Sequence, residues 1–267
     1  MTAVRLAAAC AAMVCALPAP ALAQQQDEAD LAKKLNNPVS NLISVPLQYN
    51  YDCCFGPDHG DRSTLNIQPV MPVSISRDWN VIIRTILPVI EQARTSPQSG
   101  GAFGLGDTTQ SFFFSPKASS NGFVWAVGPA FLWPTGTHDL GSGKWGAGPT
   151  FVLLKQQGGW SYGMLANQIW SYADAGDRGA PEVNRLFVQP FLTWTSAKRT
   201  TFGVNAENSY DWRTGAWTVP INFTVAQLTR VGKQPLQLTA GVRAYAVSPD
   251  QGPSWGLRFV ATLLFPS

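Results

Sequence analysis

Residues 216 to 228 read AWTVPINFTVAQL, and in them Trp217, Val219, Ile221, Phe223 and Val225 alternate with Thr218, Pro220, Asn222 and Thr224. A period of two marks a strand with one oily face and one polar face. Five large apolar side chains in a row need either a broad apolar partner or an apolar solvent, and the proline removes a backbone donor where a central strand needs one. The alternation recurs from about residue 41. Ile43, Val45, Leu47, Tyr49 and Tyr51 oppose Ser44, Gln48, Asn50 and Asp52, and Leu65, Ile67, Met71 and Val73 oppose Thr64, Asn66, Gln68 and Ser74. Further strand segments lie near 78–90, 105–115, 122–134, 144–155, 159–171, 183–195, 200–211, 216–229, 234–247 and 254–265. The pattern predicts an all-β fold of about twelve strands.

The connections alternate in length. The long CCFGPDHGDRS is followed by SISRD, EQARTSPQSGGAFG by PKASSNG, TGTHDLGSGK by QQGG, YADAGDRGAPE by SAKR and DWRTGA by VGKQ, with VSPDQGPS last. A β-sandwich has no reason for that regularity. A barrel in an outer membrane does, because tight turns sit at one end and longer loops at the other. Residues 41–267 are therefore predicted to form a transmembrane antiparallel up-and-down β-barrel in a bacterial outer membrane, with both termini periplasmic.

Tryptophan positions point the same way. Trp133, Trp145, Trp170, Trp212, Trp217 and Trp255 fall near strand ends on the long-loop side, and Trp79, Trp125, Trp160 and Trp194 near ends on the short-turn side. Two aromatic girdles at the membrane interfaces are expected, whereas a soluble core would gather its aromatics at strand centres. Seven strands each carry one proline, at positions 46, 69, 88, 129, 149, 190 and 220. A closed barrel has no edge strand to hold them, so each is expected at a bulge or at a lost ladder bond, forming a belt of local kinks.

Composition fits a membrane location without helices. Only 13% of the 267 residues are charged, against roughly 25% in soluble domains, and past the N-terminus no apolar run is long enough for a spanning helix. Residues 1–23 read as a secretory signal peptide: Arg5, an apolar stretch, then Ala21-Leu22-Ala23 before Gln24. Taking Arg5 from the 19 basic residues leaves 18 against 16 acidic ones, a balance that implies no nucleic-acid partner. Residues 24–40 form a periplasmic segment ahead of the barrel, in which DEADLAKKLN, 27–36, reads as a short polar helix that serves as a handle or a partial plug. Cys53 and Cys54 are the cysteines of the mature chain. Two loop thiols, bridged or free, are the plain reading, and a redox or metal pair the alternative.

Chemistry is sparse. A hydrolase needs a base beside its nucleophile, and the chain offers only His59 and His138, both in predicted loops, with no GxSxG elbow. Asp58, His59 and Asp61, or Asp174 and Asp177, read more simply as solvated loop residues than as metal ligands, and FGLGD at 103–107 is too short to be a nucleotide loop. No catalytic residue, metal or cofactor is expected. The lumen is where a solute would be selected: Arg84, Glu207, Asp211, Arg243 and Arg258 fall on polar faces. They either form rings of fixed charge that bias entry or pair across the wall and satisfy one another.

The segments NNPVSNLISVPLQYNYD, FGLGDTTQSFFFSPK, GPAFLWPTGT, KWGAGPTFVLLKQ, YGMLANQIWS, VPINFTV and WGLRFVATLLFP together resemble the outer-membrane transporter family named for the MetA pathway of phenol degradation, some of whose members carry a neuromedin U label. The resemblance spans about residues 31–267. It implies a porin-like barrel that moves small, aromatic or hydrophobic, molecules across the outer membrane, in contact with membrane lipid. Cys53-Cys54 departs from the family pattern. A closed structural or adhesion barrel and a rim lipid hydrolase are the competing readings; the solute and the oligomeric state stay open.

Overall fold

The computed structural model describes residues 31–95, 101–118, 121–137, 140–176 and 181–265. It contains β1 (Ile43–Phe55), β2 (Gly60–Ile67), β3 (Val70–Ser74), β4 (Trp79–Ala93), β5 (Ala102–Leu105), β6 (Thr108–Pro116), β7 (Phe123–Trp133), β8 (Lys144–Gln157), β9 (Trp160–Asp174), β10 (Asn184–Thr195), β11 (Thr200–Ala206), β12 (Asn208–Asp211), β13 (Ala216–Val231), β14 (Gln234–Val247) and β15 (Trp255–Phe265). These make twelve spans, because β2 with β3, β5 with β6 and β11 with β12 are each one strand briefly interrupted. Each strand pairs antiparallel with its neighbours. The sheet then closes where β1 meets β15, from Ile43 opposite Phe265 to Cys53 opposite Trp255. The fold is a closed, twelve-stranded antiparallel β-barrel, as the alternation predicts. The signal-peptide reading of 1–23, the first residues of the 27–36 helix, His138 and Asp177 lie outside the described residues.

Burial runs opposite to that of a soluble protein. On β13, Phe223 is 53% exposed while its neighbour Asn222 is 0% exposed. Phe151, Leu153, Phe202, Val225, Leu238, Val242 and Phe259 are exposed as well, whereas Ser44, Asn50, Thr150, Ser161, Arg243 and Arg258 are buried. The outward face of every strand is the oily one, which is stable only where lipid replaces water.

The three interruptions have a common cause in proline. A proline offers a carbonyl but no N–H, so the strand beside it loses half of its ladder locally and breaks. Across each break one N–H still reaches the proline carbonyl: Gln68 to Pro46 at 2.9 Å, Gly106 to Pro88 at 2.9 Å and Glu207 to Pro220 at 3.1 Å. Pro220 also sits at a register shift against β14. Pro129 and Pro149 face each other across β7 and β8, and the β6–β7 pairing lapses between Ser111 and Phe114. Pro190, opposite Met164, is accommodated in regular register.

The first connection corrects the sequence reading. CCFGPDHGDRS is not a long loop: β1 and β2 stay paired to Phe55 opposite Gly60, which leaves a tight turn over 56–59. Backbone pairing beyond the membrane needs no apolar side chains, so the polar composition concealed it. Cys53 and Cys54 therefore lie within a strand and are disulfide-bonded to each other. Cys54, with φ of 73°, is the extra residue of a bulge between Cys53 and Phe55.

Candidate functional site: the barrel lumen

Three layers of side chains divide the interior. At the end that carries the termini, the chain ahead of β1 turns inward. A single helical turn over 31–35 puts Ala32, 0% exposed, against Leu42, Leu228 and Leu264, with Leu31 and Leu35 beside them. Val39 continues the contact onto Ile82, Phe113, Val152 and Leu165. Two polar ties fix the segment to the wall: Asn36 Nδ2 donates to Thr195 Oγ1 at 2.9 Å and Gln156 Nε2 to the Lys33 carbonyl at 3.0 Å. The inward positions that meet this segment are mixed: Ile82, Leu228 and Leu264 pack on its apolar residues, beside buried Ser44, Ser161 and Thr195.

The middle layer is ionic. Arg258 donates from Nη1 to Glu207 Oε1 at 2.8 Å and from Nη2 to Glu207 Oε2 at 2.7 Å, and from Nε to Asn50 Oδ1 at 2.8 Å. Arg243 donates to the same Asn50 oxygen at 3.0 Å and to the Tyr245 hydroxyl at 3.1 Å, with Glu207 Oε2 3.4 Å away. Its Nε lies 2.9 Å from Asp52 Oδ1 as an ion pair, its N–H not aimed at that oxygen. Tyr245 donates to Asp52 Oδ1 at 2.7 Å. Glu207 reaches this cluster because it stands in the break between β11 and β12.

At the long-loop end, the chain at 134–137 and 140–143 is held by Asp107, which lies in the break between β5 and β6. Asp107 Oδ1 accepts from Gly136 N at 3.0 Å, and Oδ2 from Ser142 N at 2.5 Å and Ser142 Oγ at 2.6 Å. Glycine is required twice here: a Cβ on Gly136 would lie 2.3 Å from Gly141 Cα, and one on Gly141 2.6 Å from Gly136 Cα. Nearby at the rim, Lys144 pairs with Asp174 and Glu182. Hydrogen bonding by the Ser171 hydroxyl, then by the Lys144 ammonium, holds the Glu182 carboxyl below its ordinary value.

Between the plugged end and this loop lies a cavity of about 870 Å³, bordered by Leu35 at one extreme and by Leu140 to Ser142 at the other. Of the sequence-predicted lumen residues, Arg84, Glu207 and Arg258 border it. Arg243 is held in the wall behind them, and Asp211 stands at the rim, 3.6 Å from Arg185. Arg185, Asp107, Asp52 and Asn50 were not singled out from sequence: Arg185 and Asp52 carry the inward parity of their strands, whereas nothing local marks Asp107. The tryptophans divide by barrel end. Trp79 with Trp125 and Trp160 with Trp194 make ring contacts at the end of the termini, and Trp133 with Trp145, and Tyr210 with Trp212 and Trp217, at the other. Trp170 and Trp255 are exposed near that second end. Among the described residues no group of three or more His, Cys, Asp or Glu side chains is placed to hold a metal ion.

A closed twelve-stranded barrel with an oily exterior, tryptophan at both ends and a polar interior has the fold of an outer-membrane β-barrel. Among solved structures it is similar to an outer-membrane channel from Pseudomonas putida F1, with a TM-score of 0.66 and 14% identity over 84% of this chain and 96% of that one. Weaker likenesses join it to an active-site mutant of outer-membrane phospholipase A from Escherichia coli (TM-score 0.49, 10% identity, 89% of this chain and 98% of that one) and to the NanC porin (0.48, 11%, 84% and 100%). Those two are too distant to speak for activity. No family model matches the chain, and no curated protein matches it.

Proposed function

We propose that the protein is an outer-membrane channel for small molecules, of aromatic or hydrophobic character, and not an enzyme. The observation that carries this reading is the cavity of about 870 Å³ that lies inside the barrel between the 31–42 segment and the Asp107-bound loop. A barrel whose only task was structural gains nothing from an interior of that size, since side chains alone can fill a small barrel. The orientation that goes with this reading puts both termini and the shorter turns in the periplasm, and the tryptophans in the two interfaces. His59 lies in the turn over 56–59 and hydrogen-bonds no hydroxyl through its imidazole among the described residues. His59 thus gives the rim-hydrolase reading no support, and His138 lies outside the described residues.

One observation favours the competing closed-barrel reading: the 31–42 segment packs inside the barrel end that carries the termini. Planar-bilayer conductance and liposome swelling with neutral solutes decide between them. Wild-type protein is expected to give small, steady openings and slow swelling. Absence of both, in protein proved folded by heat-modifiable mobility on detergent gels, would overturn the channel reading.

A further inference from the structure

The large apolar side chains of the cavity gather on one side. Along β4, β6, β9 and β10 stand Ile86, Ile90, Phe113, Leu165, Ile169 and Phe187, with Asn167, Arg185 and Gln189 among them, whereas β1, β2, β11 and β14 present Gln48, Asn66, Asn205 and Thr239. Arg84 stands at the seam. It neighbours Ile86 on β4, is paired across the sheet with Val70 and Ser111, and donates from Nη2 to Gln68 Oε1 at 3.0 Å.

The charges around it do not balance. Asp52 and Glu207 face inward with Arg62, Arg84, Arg243 and Arg258, and the two carboxylates are taken by Arg243 and Arg258. Asp107 is taken by the loop over 134–143. Arg62 donates to Gln92 and lies over the Phe55 ring. Arg185 has Asp211. Arg84 borders the cavity with one neutral partner and, among the described residues, no carboxylate within 4.0 Å. Five N–H donors in a planar fork suit a carboxylate, and the guanidinium stays charged at any working pH.

We propose that the lumen holds a recognition site for a small amphipathic carboxylate, its head on the Arg84 guanidinium and its apolar body along the β4, β6, β9 and β10 wall. This rests on the channel reading to the extent that the solute must reach the lumen. A carboxylate fits better than a phosphate monoester, which brings close to two charges to one guanidinium that has no carboxylate in contact with it. The apolar wall adds affinity in proportion to the chain it covers.

The test is equilibrium binding of radiolabelled octanoate and of octan-1-ol to the full mature chain in lipid nanodiscs, with empty discs subtracted. Octanoate is expected to bind saturably and octan-1-ol at least about tenfold more weakly. Arg84→Gln should weaken octanoate by about tenfold and leave octan-1-ol unchanged. Arg84→Lys, which keeps the charge but not the fork, should fall between. Ser111→Glu supplies an internal carboxylate opposite Arg84 and should produce the same loss with the arginine still present. Heat-modifiable mobility confirms that each variant is folded. Equal binding of the two probes to wild type, or octanoate binding unchanged in both Arg84→Gln and Ser111→Glu, would overturn the site. Conductance of the same preparation keeps the two readings apart. Conductance without octanoate preference sinks the site alone, and octanoate binding without conductance sinks the channel and leaves the site standing.

Discussion

Arg258 and Glu207 meet fork to fork, with Nη1 to Oε1 at 2.8 Å and Nη2 to Oε2 at 2.7 Å, although they stand on opposite sides of β13 and β14 in the sheet order. Glu207 occupies the break between β11 and β12, with its N–H on the Pro220 carbonyl at 3.1 Å. Removing one partner of a buried pair leaves the other uncompensated. Glu207→Gln should therefore cost about 3 kcal/mol, read as the urea midpoint of heat-modifiable mobility, whereas the double variant Glu207→Leu, Arg258→Met should cost clearly less. Equal losses would show that the pair carries no coupling.

The lipid face makes a second prediction. Phe223→Arg near the middle of β13 should destabilise the barrel by roughly 2–4 kcal/mol if it meets the bilayer midplane. Asn222 is an unsuitable inward control, because it is fully buried opposite Arg243 and donates to Asn205 Oδ1 at 2.9 Å. Thr239 borders the cavity, and Thr239→Arg should cost much less than Phe223→Arg. Similar penalties would mean that the two faces are misassigned.

The segment over 31–42 can be unseated by a single charge. Ala32 is 0% exposed among leucines, so Ala32→Glu buries an unpaired carboxylate and should drive the segment out of the barrel mouth. Unitary conductance should rise several-fold at unchanged barrel stability. An unchanged conductance would place the limiting constriction in the ionic layer instead.

The loop over 134–143 depends on Asp107 and on two glycines that nearly touch. Asp107→Asn keeps the size but loses the charge that draws two N–H groups and one hydroxyl, and Gly141→Val cannot be built without moving Gly136. Both variants should raise protease cleavage and amide exchange at 134–137 and 140–143, with the strands unaffected. Protection equal to wild type in both would remove Asp107 from this role.

Glu182 offers a prediction in pH. Its carboxyl is held low by the Ser171 hydroxyl and the Lys144 ammonium. The contact is thus complete above the ordinary glutamate value and is lost as pH falls through the lowered one. Carboxyl-labelled NMR should find Glu182 titrating below its ordinary value, and Ser171→Ala should move it upward. A midpoint that stays put in Ser171→Ala would assign the shift to Lys144 alone.

What the sequence determined by itself follows from local periodicity. A period of two over twelve segments, with tight turns recurring between longer connections, leaves an antiparallel sheet whose oily face needs lipid, and it set the parity by which Arg84, Glu207 and Arg258 point inward. Proline positions announced kinks, since a missing N–H is a property of one residue. The sequence did not disclose that Pro46, Pro88 and Pro220 stand beside breaks in the neighbouring strand, whereas Pro69 lies within the break of its own. It also did not disclose that the polar first connection is paired backbone, because hydrogen bonds between main chains leave no mark on side-chain composition. The sequence put Glu207, Arg243 and Arg258 on inward faces and left open whether they pair; the partners were beyond it. Asn50 and Asp52 on β1 meet Arg243 and Arg258 on β14 and β15 only because the first and last strands close the barrel. Which guanidiniums are neutralised and which borders the cavity without a carboxylate in contact is therefore decided by closure and register, which bring together side chains about two hundred residues apart.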